Sequence, residues 1–308
     1  MPRSDPRSAH EALDLSAVPP EVVDAYNLDA LPVDRPLAST ADLLRLDGKV
    51  ALVTGGGGAG LGNAICHRLA EQGATIAIVD VDAEAGSFAA DDIAQTWGVE
   101  TLSVRGNVAD WDAAHDAVQE VAVRFGTIDI AVNNAGGSGS VGARGSAASS
   151  RGTFAAMDRQ SMEVTVGVNL MGVFHVTSAV LEVMLPRHSG RIINISSEGA
   201  KFGAPGLAVY GSCKAAVNGF TANLAHEVGP EGVTVVAVCP GTMVSQRLLQ
   251  PGYLSPTLDG LLGSTFRRTP IGRLSLLDEV ASMVAFLASD AGSYVHGTSV
   301  SVGGGISD

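Results

Sequence analysis

The chain has 308 residues, of which 46% are hydrophobic, so it can form one large domain or two small ones with a sizeable core. Its formal net charge of −13 and isoelectric point near 4.8 argue against a nucleic acid or an anionic membrane as a partner. Its three cysteines are widely spaced without a Cys-x-x-Cys pair, which argues against a disulfide framework or a zinc site. We therefore expect no bound metal and a reducing compartment, the cytoplasm.

Residues 1–45 form a proline-rich segment that precedes the regular part of the chain. The stretch Pro20–Tyr26 predicts one or two helical turns, because proline is favoured at a helix start. We expect an extension outside the core, either disordered or wrapped around a neighbouring subunit, and both alternatives stay open. The segment lacks the apolar region of a secretory signal, and no apolar run in the chain is long enough to predict a membrane span.

From Leu46 onward, short apolar runs alternate with segments of helical periodicity. The apolar runs predict strands over 50–54, 75–79, 101–104, 128–132, 191–195, 233–238 and 298–302. The periodic segments predict helices over 61–72, 83–97, 110–125, 157–185, 209–228 and 277–288, with Asp110 as an N-cap. This alternation implies parallel pairing with right-handed crossovers. We expect residues 46–308 to form a single Rossmann-like α/β domain, with a doubly wound parallel sheet and helices on both faces.

Two stretches interrupt this alternation. Residues 137–156 are rich in Gly, Ser and Ala and predict a loop insertion, and a loop of that length is usually functional or mobile. Residues 242–270 are leucine-rich and predicted to be irregular. They form either an apolar substrate lid or a surface that packs against the core or another subunit. We expect both stretches to shape the substrate pocket, since pockets in such folds lie outside the carboxyl ends of the strands.

A glycine-rich turn, Thr54–Gly62, joins the first predicted strand to the first predicted helix. Glycines let backbone amides approach a pyrophosphate, and a helix N-terminus favours its negative charge, so the turn predicts a dinucleotide site. Asp80 ends the second strand, eighteen residues past Gly62, at about the offset of an acid that accepts hydrogen bonds from the adenosine ribose. Asp80 and Asp82 would repel a 2′-phosphate, and no Arg or Lys lies in the turn or just after Asp80. These residues favour NAD over NADP.

Tyr210 and Lys214 are four residues apart on a predicted helix and therefore share one face, and Ser197 lies thirteen residues before the tyrosine. A phenol beside a fixed cation loses its proton more easily, so such a tyrosine can exchange a proton with an alcohol near neutral pH. By itself a Tyr-x-x-x-Lys pair usually means an aromatic residue next to a solvated lysine. Its position downstream of the glycine-rich turn favours catalysis.

Together these motifs resemble those of the short-chain dehydrogenase/reductase family, over about Leu46 to Gly305. The matching positions are the glycine turn with Thr54, Gly55, Gly60 and Gly62; Asn107–Val108, where the family often has Asp-Val; Asn133, Asn134, Ala135 and Gly136 of the Asn-Asn-Ala-Gly motif; the tetrad Asn169, Ser197, Tyr210 and Lys214; Pro240–Gly241; and Ser245, where a threonine is usual. The chain departs from the pattern by one extra residue between Gly55 and Gly60. It also has Gly303 where the closing Val-Asp-Gly-Gly motif carries an acid.

The resemblance implies that Tyr210 takes or gives the alcohol proton and that Lys214 lowers the tyrosine pKa and holds the nicotinamide ribose. It implies that Ser197 hydrogen-bonds the substrate oxygen and that Asn169 anchors a water in a proton relay. The implied cofactor contacts are Gly55, Gly60, Leu61, Gly62, Asp80, Asn107, Val108, Asn134, Ala135, Gly136, Tyr210, Lys214, Pro240, Gly241 and Ser245. Ser196 is the alternative serine, and Glu198 is a candidate for contact with substrate. His175 and His226 are expected to be packed or exposed rather than catalytic.

The predicted function is NAD(H)-dependent interconversion of a secondary alcohol and a ketone on a small-molecule substrate. The resemblance implies a homotetramer or homodimer assembled on the helices around Asn169 and Tyr210. Two alternatives stay open. An NADPH-dependent carbonyl or 3-oxoacyl reductase is disfavoured by Asp80, and a non-catalytic cofactor-binding regulator is disfavoured by the complete tetrad.

Overall fold

A computed structural model describes residues 18–27, 39–138, 152–245, 248–249 and 260–306. The chain divides into two compact units, residues 1–43 and residues 44–308. In the first unit, α1 (Pro20–Ala25) begins directly after Pro19 with a proline at its first position, and α2 (Thr40–Leu43) forms a single turn. The helix predicted over Pro20–Tyr26 is thus present as α1.

The second unit is built on a seven-stranded parallel sheet. Its strands are β1 (Val50–Thr54), β2 (Thr75–Asp80), β3 (Thr101–Arg105), β4 (Ile130–Asn133), β5 (Gly190–Ile195), β6 (Val233–Pro240) and β9 (Ser299–Val302). They lie in the order β3-β2-β1-β4-β5-β6-β9. The chain winds outward in both directions from β1 and β4, which opens a crevice at the carboxyl ends of these two strands. The predicted doubly wound α/β fold is confirmed.

Helices cover both faces of this sheet. They are α3 (Leu61–Glu71), α4 (Ala83–Trp97), α5 (Trp111–Phe125), α6 (Arg159–Val166), α7 (Gly172–Met184), α8 (Ala208–Val228) and α10 (Leu277–Ala288). One core lies between the sheet and α3, α4 and α10, and a second lies between the sheet and α5, α7 and α8. Because both faces are covered, the strands are continuous apolar runs rich in Val and Ile.

Side-chain caps fix the starts of two helices that border the crevice. Asp82 accepts a hydrogen bond from the amide of Ala85 at the start of α4, and Asp110 accepts one from Ala113 at the start of α5. Each cap satisfies one of the free amides of the first helical turn and contributes about 1 kcal/mol. The prediction of Asp110 as an N-cap is confirmed.

The single helix predicted over 157–185 is a composite of three helical segments. A π-helical turn, Gly167–Met171, separates α6 from α7, and a 3₁₀ turn over Leu185–Arg187 follows α7. A π turn inserts an extra residue without changing the apolar pattern enough to be recognised from sequence, and such turns often occur at functional sites.

In length and composition, the helical stretch Arg159–Arg187 is the one candidate membrane span among the described residues. Half of its most apolar window is buried inside the fold. α7 supplies Val176, Val180 and Met184 to the core between the sheet and α5. These features are those of a core helix, so the stretch is weak support for a membrane span.

The prediction of an irregular stretch over 242–270 is partly wrong. Residues 243–244 form β7 (Met243–Val244), which pairs with β8 (Ser275–Leu276), and residues 260–267 form α9 (Gly260–Arg267). Two glycines, at 260 and 263, weakened the helical signal of α9 in the sequence. Residues 246–247 and 250–259 of the predicted lid, and 139–151 of the predicted loop insertion, lie outside the described residues.

Candidate functional site

One side of the glycine-rich turn is closely packed, and the other side is open. A Cβ atom on Gly62 would lie 2.2 Å from the Gly55 carbonyl oxygen and 2.4 Å from Asn134 Nδ2, so no side chain fits there. Gly55 has a φ of 69°, in the left-handed region that favours glycine. At Gly58 and Gly60, in contrast, an added Cβ meets nothing within 4 Å. The open side adjoins the N-terminus of α3, which begins at Leu61. The N-cap residue, Gly60, has no side chain to bond the free amides of the first turn, so these amides suit a pyrophosphate.

The extra residue in this turn brings the backbone onto the second strand. The amide of Gly57 donates a hydrogen bond to Asp80 Oδ2 at 2.9 Å. A Cβ on Gly57 would lie 2.7 Å from the amide nitrogen of Gly86, so Gly57 packs directly on α4. Within the longer turn, Gly57 is therefore a glycine where backbone approaches backbone.

Asp80 is held in place at the end of β2 by two backbone amides. Its Oδ2 accepts from Gly57, and its Oδ1 accepts from Asp82 at 3.0 Å. Each carboxylate oxygen has a second lone pair available for a ribose hydroxyl. The side chain borders a cavity of about 540 Å³. No Arg or Lys is among the described residues that line this cavity, so nothing there would neutralise a 2′-phosphate.

The same cavity is lined by the predicted adenine contacts Asn107 and Val108 and by Ala135 and Gly136. Asn107 Oδ1 accepts the amide of Ala109, which shapes the turn after β3. Together with Asp80, these residues form one continuous pocket next to the glycine-rich turn, of a size suited to the adenosine half of a dinucleotide.

His175 fixes the Val108 side of this cavity. Its Nδ1–H donates to the Val108 carbonyl oxygen at 3.0 Å, and the ring is buried. His226 is exposed on α8. The expectation that these histidines are packed or exposed is confirmed, and that neither is catalytic stays a prediction.

Side-chain amides join the carboxyl ends of the central strands. Asn134 Nδ2 donates to the Thr54 carbonyl oxygen at 2.9 Å, which links β4 to β1. Asn133 Nδ2 donates to Asn194 Oδ1 at 2.8 Å, and Asn194 Nδ2 donates to Thr221 Oγ1 at 2.9 Å, which links β4, β5 and α8. Asn194 was missed in the sequence analysis, although an amide in the middle of an apolar strand signals a buried polar network.

Asn169 lies in the π turn and is fully buried. Its Oδ1 accepts from the Gly137 amide at 2.9 Å, and its Nδ2 donates to the Thr165 carbonyl at 3.0 Å. A Cβ on Gly136, whose φ is 141°, would lie 2.5 Å from Asn169 Oδ1 and 3.6 Å from Lys214 Nζ. The π turn thus brings Asn169 close to Lys214 across the Gly136 backbone.

Lys214 is a buried cation next to Tyr210. Its side chain is 3% exposed, and its Nζ lies 5.9 Å from the centre of the Tyr210 ring and donates to the Ile195 carbonyl at 2.8 Å. Burial lowers the pKa of Lys214 to about 8, because the charged ammonium is taken out of water. The spacing predicted from sequence therefore places both groups together, at the end of β5.

Ser197 follows β5 and caps the 3₁₀ turn Glu198–Ala200. Its Oγ accepts from the Gly199 amide at 3.0 Å. A Cβ on Gly199 would lie 3.3 Å from Ser197 Oγ and 3.9 Å from Tyr210 Cε1, so the turn brings the serine next to the tyrosine. Ser196 Oγ is buried and donates to the Lys214 carbonyl at 2.9 Å. This bond engages the Ser196 hydroxyl with α8, and the substrate contact predicted for Ser197 stays a prediction.

The Pro240–Gly241 turn ends β6 at the same edge of the sheet. The amide of Gly241 donates to the Val302 carbonyl at 3.0 Å, and a Cβ on Gly241 would lie 3.0 Å from Gly303 Cα. Ser245 caps the following turn, since its Oγ accepts from the Leu248 amide at 3.3 Å. Its predicted contact with a carboxamide stays a prediction.

Comparison with known proteins gives consistent results. A family model for short chain dehydrogenases matches residues 49–250. The cyclohexanol dehydrogenase of Rhodococcus sp. (strain TK6) is 34% identical over 279 residues, which cover 86% of this chain and 98% of that protein.

Solved structures show the same fold with either dinucleotide bound. A 7α-hydroxysteroid dehydrogenase complexed with NADH and 7-oxo glycochenodeoxycholic acid superposes with a TM-score of 0.77 at 28% identity, covering 88% of this chain and 99% of that one. A short chain dehydrogenase from Burkholderia cenocepacia J2315 in complex with NADP has a TM-score of 0.73 at 31% identity, covering 86% of this chain and 100% of that one. The similarity supports a nicotinamide cofactor without choosing between NAD and NADP.

Proposed function

This chain belongs to the short-chain dehydrogenase family, and from that premise we propose that it is an NAD(H)-dependent oxidoreductase that interconverts a secondary alcohol and a ketone. One juxtaposition carries the proposal: the buried Lys214 ammonium lies 5.9 Å from the Tyr210 ring, at the same edge of the sheet as the cavity bordered by Asp80. Hydride transfer to or from a carbonyl carbon requires a proton-transfer group near a bound dinucleotide, and this cavity suits the adenosine half of one.

Each tetrad residue has a role that follows from its contacts. The Tyr210 hydroxyl exchanges a proton with the substrate oxygen, and the positive charge of Lys214 favours the phenolate. Because Ser197 Oγ accepts from the Gly199 amide, its own proton is available to the substrate oxygen. Both side-chain ends of Asn169 are bonded to backbone, so it shapes the π turn, where we place the relay water between Lys214 and solvent.

The dinucleotide would be held by the glycine-rich turn, Asp80 and the Asn107–Gly136 side of the cavity, and it supplies the hydride acceptor or donor. The open backbone at Gly58 and Gly60 fits the pyrophosphate. The Asp80 carboxylate accepts two backbone hydrogen bonds, and no Arg or Lys lines its cavity among the residues that the structure describes, which supports NAD over NADP. We propose a cytoplasmic location, as expected from the free cysteines.

We expect the wild-type protein to bind NADH at least about 100-fold more tightly than NADPH, because the 2′-phosphate would meet the Asp80 carboxylate and no Arg or Lys among the described lining residues would offset the repulsion. The measurement is quenching of protein fluorescence on titration with each dinucleotide. Asp80→Ser should reduce this preference at least tenfold or so, by weakening NADH binding and admitting NADPH. Asp116→Ser, on the exposed face of α5, is the matched control and should leave the preference unchanged.

Tighter binding of NADPH by the wild type would contradict this choice and support the carbonyl or 3-oxoacyl reductase alternative. The same protein is then supplied with NAD⁺ and a panel of cyclic alcohols, open-chain secondary alcohols and 3-hydroxyacyl thioesters, and NADH absorbance is followed. If no alcohol reduces NAD⁺ and no matching ketone oxidises NADH, the result would favour the alternative of a non-catalytic cofactor-binding regulator.

We further propose that the chain forms a homodimer or homotetramer. An apolar groove of about 600 Å³ lies between α6, the π turn and α8 and is lined by Phe154, Val166, Leu170 and Val209. Apolar grooves of this kind are commonly covered by a protein partner. Light scattering should give two or four times the chain mass of 31.3 kDa. A mass equal to a single chain would be inconsistent with the proposal.

A further inference from the structure

Glu198 is a carboxylate buried next to the catalytic serine. Its side chain is 1% exposed, and neither carboxylate oxygen has a hydrogen-bond partner in the described part of the chain. The hydroxyl of Ser196, two residues earlier, is in contrast bonded to the Lys214 carbonyl. Burying a carboxyl group without donors is unfavourable. Hydrogen bonding within the described fold therefore does not explain why Glu198 is placed here.

The side chain of Glu198 occupies the space above Gly303. A Cβ on Gly303 would lie 2.5 Å from Glu198 Cγ, 2.8 Å from Cδ and 3.0 Å from Oε1. The φ of Gly303 is outside the left-handed region, so its backbone would accept alanine. Glycine at 303 is therefore required by volume. An aspartate at this position, as in the closing motif of the family, would leave no room for Glu198.

Each residue of the Glu198–Gly303 contact is adjacent to a part of the site. Glu198 begins the 3₁₀ turn whose next amide, that of Gly199, donates to Ser197 Oγ. On the other side, Gly303 Cα lies 3.0 Å from the position of a Cβ on Gly241. Gly303 thus lies between the Glu198 side chain and the Pro240–Gly241 turn, and connects that turn to the one that carries Ser197.

We propose that Glu198 is a positioning residue for Ser197, and that its side chain, fitted against Gly303, sets the separation of these two turns. The proposal rests on the proposed function, since the position of Ser197 matters for turnover in that reaction. Tightly packed side chains transmit a displacement to their neighbours. A larger residue at 303 would therefore push out Glu198 and move the hydroxyl of Ser197 with it.

Gly303→Ala should lower kcat by about 100-fold, the cost of roughly 1 Å of misplacement in an active site, with a much smaller change in the Kd for NADH. The matched control is Gly203→Ala, five residues after Glu198, where an added Cβ meets nothing within 4 Å and the backbone is permissive. Circular dichroism and thermal melting establish that both variants fold.

The double variant Glu198→Ala with Gly303→Ala separates positioning from general damage. Removing Cγ and the carboxyl group makes room for the new methyl group, so the double variant should recover at least about tenfold in kcat over Gly303→Ala alone. Losses that multiply, so that the double variant is as slow as the product of the single changes, would overturn the proposal.

A measurement that is independent of turnover keeps this result distinct from failure of the proposed function. Hydrogen exchange at the Gly199 amide, which donates to Ser197 Oγ, should be faster in Gly303→Ala than in the wild type. In the double variant, exchange should be slower than in Gly303→Ala. If the wild type oxidises no alcohol but exchange follows this order, the proposed function fails and the positioning contact stands. If Gly303→Ala matches Gly203→Ala in both exchange and kcat, the positioning role is wrong.

Discussion

Tyr210→Phe is expected to lower kcat by about 10²- to 10⁴-fold, the usual contribution of a positioned proton donor or acceptor. Phenylalanine keeps the ring, which is 8% exposed, so packing around Lys214 is retained and only the hydroxyl is lost. Binding of NADH, measured by fluorescence quenching, should change little, because the glycine-rich turn and Asp80 are unaltered.

Tyr294→Phe provides the matched control, since Tyr294 is fully exposed on the loop before β9. It should have wild-type kcat and wild-type NADH affinity. Retention of more than about a tenth of wild-type kcat in Tyr210→Phe would exclude the tyrosine as the proton-transfer group, because it would leave less than about 1.4 kcal/mol of barrier lowering for the hydroxyl.

Lys214→Met is expected to lower kcat by about 100-fold or more and to change the pH dependence of stability. Methionine has a similar length and no charge, so the positive charge beside Tyr210 disappears while the buried volume is largely filled. The catalytic effect is measured with the alcohol that the wild type turns over fastest.

The stability effect has a definite sign. The pKa of Lys214 is about 8 in the fold and about 10.5 in the unfolded chain, so below pH 8 the folded protein carries a buried ammonium that costs about 3 kcal/mol. Between pH 8 and pH 10.5 the unfolded chain binds more protons than the fold, so wild-type stability rises with pH in this window. The methionine variant lacks this pH-dependent contribution to the free energy of unfolding.

Urea unfolding of the cofactor-free proteins at pH 7 and pH 10 measures the difference. The free energy of unfolding of the wild type relative to Lys214→Met should increase by about 2–3 kcal/mol between these pH values. Titration of the cysteines is largely common to both proteins and cancels when they are compared. The hydrogen bond to the Ile195 carbonyl is lost in the variant at both pH values, so it cancels between pH 7 and pH 10. Lys49→Met, at an exposed site, should show no such change relative to the wild type. A pH-independent difference for Lys214→Met would show that the lysine titrates as in water.

The amino-acid sequence by itself determined the elements of the sheet and the positions of the motifs. The helix Ala83–Trp97 has the predicted bounds, and β1 does as well. These features depend on interactions within a few residues: alternation of apolar runs, a capping aspartate, and glycines where the backbone turns. The i,i+4 spacing of Tyr210 and Lys214 is equally local, because helix geometry alone fixes a shared face.

Tertiary structure alone decided the features that join distant segments. The π turn at Gly167–Met171 brings Asn169 to Gly137, and the pKa of Lys214 depends on burial by several elements. The contact of Glu198 with Gly303 joins positions more than one hundred residues apart. No periodicity in the chain encodes these contacts, because their energies depend on how separate elements pack against one another.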